Sequence, residues 1–178
     1  MTLTLEILER LVGFDTVSAK PNAEIIAFIQ NFLEMRGARC IPLPSKETGK
    51  LGLYAEIGPQ SSGGILLSGH TDVVAVKGQH WTQNPFLLTS KSGRLYGRGT
   101  TDMKGYVACM LRAADLASRS QMREPLKLVF SYDEEIGCVG IQEMMGGLSQ
   151  VIGTPRACFV GEPTEMQVAI GHKGKVEF

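Results

Sequence analysis

A three-layer α/β/α domain on a mixed, mainly parallel sheet is the fold that this chain predicts, on three observations. Short apolar runs alternate with helical stripes along the whole length, the pattern of βα units rather than of a bundle or a sandwich. Two of those runs, 64–69 and 126–132, are apolar with little alternation, as strands buried on both faces are. Ser92-Gly93 lies between two short extended segments and marks an antiparallel hairpin, which makes the sheet mixed.

The elements follow in order. Leu3, Ile7, Leu8, Leu11 and Val12 form one stripe, so a helix is expected over 3–14. A second helix starts after Pro21-Asn22, with Asn22 placed to cap it, Ile25, Ile26, Ile29, Phe32 and Leu33 on its buried face and Gly37 as its stop. Strands are expected at 39–43, 51–57 and 64–69, then the hairpin arms at 86–90 and 94–97. Val107, Met110, Leu111, Ala114 and Leu116 make 104–117 a helix. A central strand at 126–132, a helix at about 138–148 and a strand at 157–160 complete the pattern, with 167–170 as one more candidate strand.

Composition narrows the function. With 43% hydrophobic and 20% charged residues, the 178-residue chain suits one folded domain rather than a disordered segment. Basic and acidic residues number 18 each, so no net field draws it to nucleic acid or to an anionic membrane, and a small, specifically bound substrate fits better. No stretch approaches the roughly 20 apolar residues of a membrane span. The first residues, broken by Glu6, Glu9 and Arg10, lack the apolar core of a signal peptide, so a cytoplasmic location is expected. Cys40, Cys109, Cys138 and Cys158 stand singly, without Cys-x-x-Cys spacing, and are read as buried free thiols in a reducing compartment.

Four segments carry the chemistry, each placing acids or an imidazole where an apolar run ends: Ser68-Gly69-His70-Thr71-Asp72, Gly97-Arg98-Gly99-Thr100-Thr101-Asp102-Met103-Lys104-Gly105, Asp133-Glu134-Glu135 and Gly161-Glu162-Pro163-Thr164. Imidazole nitrogen and carboxylate oxygen suit a borderline divalent cation such as zinc, and an α/β sheet gathers its strand ends at one crevice. His70 and Asp72, two apart in an extended segment, share one side of the backbone, so the carboxylate can orient the imidazole or simply form a structural pair with it. Asp102 can equally be an acid at a helix N-terminus. A dinucleotide loop fails at Gly97-Arg98-Gly99, because Asp102 takes the position where close helix packing wants Gly or Ala. Three adjacent acids at 133–135 repel unless something positive is near. They are a solvated helix start, or they divide their labour, one binding metal and its neighbour acting as general base.

In order, spacing and flanks, these segments resemble the acetylornithine deacetylase and succinyl-diaminopimelate desuccinylase family of dinuclear zinc amidohydrolases and exopeptidases, over essentially the whole chain. The resemblance implies a zinc-exopeptidase-like fold in which His70 and Glu162 bind one zinc, Glu135 binds the other and Asp102 bridges them, with cobalt as a possible substitute. It also implies that Asp72 orients His70, that Glu134 is the general base and acid, and that the Asp102–Met103 peptide bond is cis. Asp133-Glu134-Glu135-Ile136-Gly137-Cys138, Gly171-His172-Lys173-Gly174 and Gly78-Gln79-His80-Trp81 with Asn84-Pro85-Phe86 resemble the acetylornithine-cleaving branch. The implied reaction is therefore hydrolysis of N-acetyl-ornithine to ornithine and acetate in arginine biosynthesis. A related N-acyl amino acid deacylase, a desuccinylase or a dipeptidase is the alternative, and a non-catalytic α/β binding module is the alternative of another class.

Members of that family are about twice as long. On the resemblance, residues 1–172 are the N-terminal part of the catalytic domain and 173–178 the start of a lid or dimerisation domain, through which the longer protein is expected to form a homodimer. The family's remaining ligand, a histidine, comes from the returning half. Neither His80, in a polar loop, nor His172, at the crossing into the lid, is a convincing substitute. The chain is accordingly expected to be a fragment that is inactive alone.

Overall fold

The computed structural model describes residues 2–45 and 50–171; His172 and residues 173–178, expected as hinge and start of a second domain, lie outside the described residues. The chain runs α1 (Leu3–Val12), α2 (Ala23–Glu34), β1 (Arg39–Pro44), β2 (Leu51–Ile57), β3 (Ile65–His70), β4 (Thr89–Lys91), β5 (Arg94–Tyr96), α3 (Lys104–Ala117), β6 (Leu126–Ser131), α4 (Val139–Val151) and β7 (Ala157–Val160). Five strands form one sheet in the order β1-β2-β6-β3-β7. β1, β2 and β6 pair antiparallel, whereas β3 runs parallel to both β6 and β7. The sheet is mixed, as expected, but its antiparallel pairs are not those of the hairpin: β4 and β5 form a separate two-stranded sheet.

The three layers follow from which stripe each helix buries. α1, α2 and α3 cover one face with Leu11, Ile26, Ile29 and Leu111 against Leu53 and Phe130 of the sheet. α4 covers the other, packing Met144 and Leu148 against Tyr54, Leu66 and Val129. Among the described residues, no helix is long and apolar enough to cross a membrane.

Several local expectations are corrected. Asn22 precedes α2 without a side-chain cap bond. Its amide is instead spent on β2, donating to the Leu51 carbonyl and accepting from the Leu51 N–H, both at 2.8 Å, so it stitches a helix start to the sheet. Residues 167–170 form no strand, and Val168 and Ile170 are exposed; without a ladder partner an extended segment has nothing to hold it. Cys109, Cys138 and Cys158 are exposed and only Cys40 is half-buried, because the first three fall on the outer face of α3, at the start of α4 and on an edge strand. Leu116 also faces solvent.

Two buried charges belong to the scaffold. Lys127, in the middle of β6, is 1% exposed and donates to the carbonyls of Ser61, Ser62 and Ile152 at 3.0, 2.9 and 2.7 Å, so its ammonium is fully hydrogen-bonded. Asp115 of α3 accepts from Arg36 Nε at 2.8 Å, from Arg119 Nη2 at 2.7 Å and from Arg112. Burial alone would raise this carboxyl, but the arginines hold it below the usual carboxylate range. A depressed folded-state value contributes stability that is fully present above the ordinary carboxylate value, declines below it and is gone only once pH falls through the lower folded-state value. Asp115→Asn is therefore expected to cost about 2 kcal/mol at pH 7 and progressively less as pH falls below the ordinary carboxylate value, so urea melts of parent and variant should converge in acid.

Candidate metal centre

The register of β3 with its neighbours builds the site. His70 pairs with Ser131 at the end of β6, and Ser68 pairs with Val160 at the end of β7. The carboxyl ends of three parallel strands thus lie abreast, and the residues just beyond them, Asp72, Asp133 to Glu135 and Glu162, emerge at one rim. Asp102 arrives from the turn before α3, where the Asp102–Met103 peptide bond is cis.

The His70 ring is buried, at 1% exposure, and both nitrogens face carboxylates. Nδ1 lies 3.0 Å from the Asp72 carbonyl and 3.3 Å from Asp72 Oδ1, which places the ring proton there and leaves Nε2 for the rim. Nε2 stands 3.0 Å from Asp102 Oδ1, 3.7 Å from Glu134 Oε2 and 3.9 Å from Glu162 Oε1. One ligand atom from each of His70, Asp102 and Glu162 falls within 4.8 Å of the other two. Glu135 lies outside that group but close enough for its charge to be felt there.

Asp72 is more than the partner of one imidazole. Its Oδ1 accepts from the Glu134 N–H at 3.1 Å, and its Oδ2 accepts from the Glu135 N–H at 3.3 Å and the Ser18 hydroxyl at 2.6 Å. One buried carboxylate therefore fixes the imidazole and the backbone of two acids together. Burial opposes its ionisation, yet these donors hold it below its ordinary value. Asp133, the first of the three adjacent acids, turns inward. Lys50 Nζ donates to both its oxygens at 2.7 and 2.8 Å, the Ala19 N–H adds a third bond at 2.8 Å, and residue 133 takes a φ of +52°. Of the three acids, the first is a buried anchor, and the other two look out over the rim.

The remaining electrostatics are those of crowded anions. Burial raises Glu135, and Asp102, Glu134 and Asp72 add to the rise against the opposing charge of His70, to about 7. Glu162 is raised too, by burial first and then by Asp102 and Glu134. Burial would lower His70, but the bond from Asp72 and the charges of Asp72, Glu162 and Asp102 carry it up to about 9. A divalent cation is what such a set accommodates: one oriented imidazole nitrogen and several carboxylate oxygens, with negative charge in excess. The donor set fits zinc.

Ser18, Lys50 and Lys104 escaped the reading of the sequence. Lys104 is buried and donates from Nζ to the Phe14 carbonyl at 2.7 Å. Burial lowers it to about 7 against the charges of Asp15 and Asp72. Together with Thr16, whose hydroxyl donates to the Thr71 carbonyl at 2.7 Å, it ties the segment after α1 beneath the site. No local pattern announces such residues, because each acts on a partner far along the chain. His80 is exposed and stands apart from the cluster.

Known proteins resemble this chain in sequence and fold. The model of peptidase family M20/M25/M40 matches residues 66–177. The chain is similar to an acetylornithine deacetylase of Proteus mirabilis (strain HI4320), 36% identical over 177 residues that cover 96% of this chain and 45% of that protein. A second acetylornithine deacetylase, of Shigella sonnei (strain Ss046), is 32% identical over 97% of this chain and 46% of its own length. The chain thus spans about half the length of the curated relatives it matches. Among solved structures, an M20 family metallo-carboxypeptidase from Sulfolobus solfataricus superposes with a TM-score of 0.79 at 24% identity, over 90% of this chain and 37% of that one. Human carnosine dipeptidase 1 gives 0.75 at 24% identity, over 88% and 38%. At that identity the two structures speak for the fold.

Proposed function

The chain belongs to peptidase family M20/M25/M40, and from that premise we propose that it carries the N-terminal part of the catalytic domain of a metal-dependent amidohydrolase that cleaves N-acetyl-ornithine to ornithine and acetate. The observation that carries the reading is the meeting of His70 Nε2, Asp102 and Glu162 within 4.8 Å at the end of parallel strands. His70 and Glu162 are the residues to hold one zinc, Asp102 the shared carboxylate and Glu135 the residue for a second zinc. When bound, the cations supply Lewis acidity, which acidifies water and polarises an amide carbonyl.

The chain's own groups do the rest. Asp72 keeps a proton of His70 on Nδ1, so Nε2 is the nitrogen that would give up its proton and offer a lone pair to a cation. Glu134 acts as general base and then general acid: its Oε2, on the His70 side, takes a proton from water and returns it to the departing amine nitrogen. Its other oxygen is engaged by the Cys138 thiol at 3.3 Å, which leaves Oε2 as the free basic atom. Asp102 and Glu135 alone are fewer than the three protein ligands usual for a catalytic zinc, so turnover is expected to require a further ligand that the described residues do not supply.

The substrate assignment leans on the acetylornithine deacetylases the chain is similar to, at 36% and 32% identity. Initial rates on N-acetyl-ornithine, N-succinyl-diaminopimelate and a dipeptide, measured with zinc for the whole protein that carries this sequence, test it. The largest kcat/KM is expected on N-acetyl-ornithine. A preference for either of the others overturns the substrate and leaves a hydrolase of another amide. Zinc bound without hydrolysis of any of the three favours a non-catalytic binding module.

A further inference from the structure

Glu162 stands on a short and lightly supported element. β7 has four residues, all exposed, and its ladder with β3 ends at the Ser68–Val160 pair, so the strand register stops two residues before Glu162. What continues the register is one side chain of α3. The ring of Tyr106 covers Gly161 so closely that a Cβ on that glycine would clash with its Cγ, Cδ1 and Cδ2. Its hydroxyl donates to the Phe159 carbonyl at 2.9 Å. The same ring reaches Gly69 on β3, where a Cβ would stand 3.5 Å from Tyr106 Cδ1, 3.2 Å from Met110 Sδ and 3.3 Å from Met103 Cε. Gly69 immediately precedes His70, Gly161 immediately precedes Glu162, and Tyr106, in the first turn of α3, follows Asp102 by four residues. Burial pushes the phenol up to about 12, so it remains a donor at neutral pH.

We propose that Tyr106 is a positioning residue of the metal centre: its ring, seated between Gly69 and Gly161, sets the spacing of His70 and Glu162 around Asp102. The inference rests on the metal reading given under the proposed function. Gly161 admits the ring, which reaches ordinary contact distance of Gly69, and the hydroxyl pins the edge strand that no second neighbour supports among the described residues. Glu162, 37% exposed, is thereby held within reach of His70 Nε2.

Cobalt(II) titration of the whole protein that carries this sequence, followed by visible absorption, tests this with Tyr106→Phe, Tyr106→Leu, Gly161→Ala and the Tyr106→Leu/Gly161→Ala pair, circular dichroism confirming that each is folded. Losing an outer support of a metal ligand weakens affinity by about 10- to 100-fold. Tyr106→Leu and Gly161→Ala are each expected at the lower end of that range, and Tyr106→Phe, which keeps the ring, less than either. The pair is expected to lose less than the two single losses together, because both substitutions act on the same Tyr106–Gly161 contact. Folded Tyr106→Leu and Gly161→Ala chains that bind cobalt like the parent overturn the proposal and leave the metal reading intact, and so do losses in the pair that simply add. If Tyr106→Leu does not fold, unchanged binding in both Tyr106→Phe and Gly161→Ala overturns it. A parent that takes up no cobalt overturns the metal reading and the positioning role together.

Discussion

In the whole protein that carries this sequence, Glu134→Gln is expected to lower kcat of the proposed N-acetyl-ornithine hydrolysis by about 10²- to 10⁴-fold, the range a positioned general base contributes, while bound zinc stays at the parent's level. The separation of the two readouts follows from geometry. Glu134 Oε2 is 3.7 Å from His70 Nε2, at the rim but outside the His70, Asp102 and Glu162 group. Glutamine keeps the volume and the contact with Cys138 but cannot take up a proton from water at neutral pH. Metal analysis beside initial rates decides the matter. Retained turnover moves the base to another residue, and a parallel loss of zinc makes Glu134 a ligand.

Lys50→Met is expected to have the largest effect on stability, about 3–5 kcal/mol, because it leaves the Asp133 carboxylate buried without its countercharge. Both side chains are nearly sealed, at 4% and 5% exposure, and Lys50 Nζ bonds both oxygens. For a chain of this size such a loss lowers Tm by roughly 10 °C or more. Since the fold as a whole is worth only about 5–15 kcal/mol, a loss at the upper end removes between about a third and all of it. Adding Asp133→Asn should return part of the loss, because an amide is far cheaper to bury than a lone carboxylate. Thermal melts of the two variants check this, and a Lys50→Met chain as stable as the parent removes the pair from any structural role. A consequence for the site follows as well: Asp133 sets the turn from which the Glu134 and Glu135 N–H groups reach Asp72.

The elements were legible because their signals are local. Strand 51–57 and helix 104–117 carry their period within a window of a few residues, and the structure has Leu51–Ile57 and Lys104–Ala117. The candidate ligands were legible through residue type and flanks, since imidazole and carboxylate at successive strand ends are unusual without a shared purpose. The misreadings share a cause. Asn22 reads as a cap from its neighbours, but its amide found a partner 29 residues away. The cysteines read as buried from their chemical type, but exposure is decided by which face of α3 or which edge of the sheet the residue occupies.

What the sequence by itself determined about this protein is its class of fold, its family and the acids and histidine that can meet at the rim, because periodicity and ligand chemistry are written residue by residue. What only the tertiary structure decided is how those groups are held. Lys50 neutralises Asp133 across 83 residues, Ser18 reaches Asp72 across 54, and Tyr106 grips the Phe159 carbonyl across 53. No window of sequence contains both partners of such pairs. Their distance is set when three parallel strands are brought abreast and helices are packed over them, and only then does an acid such as Asp133 become an anchor while its neighbour Glu134 is left at the open rim.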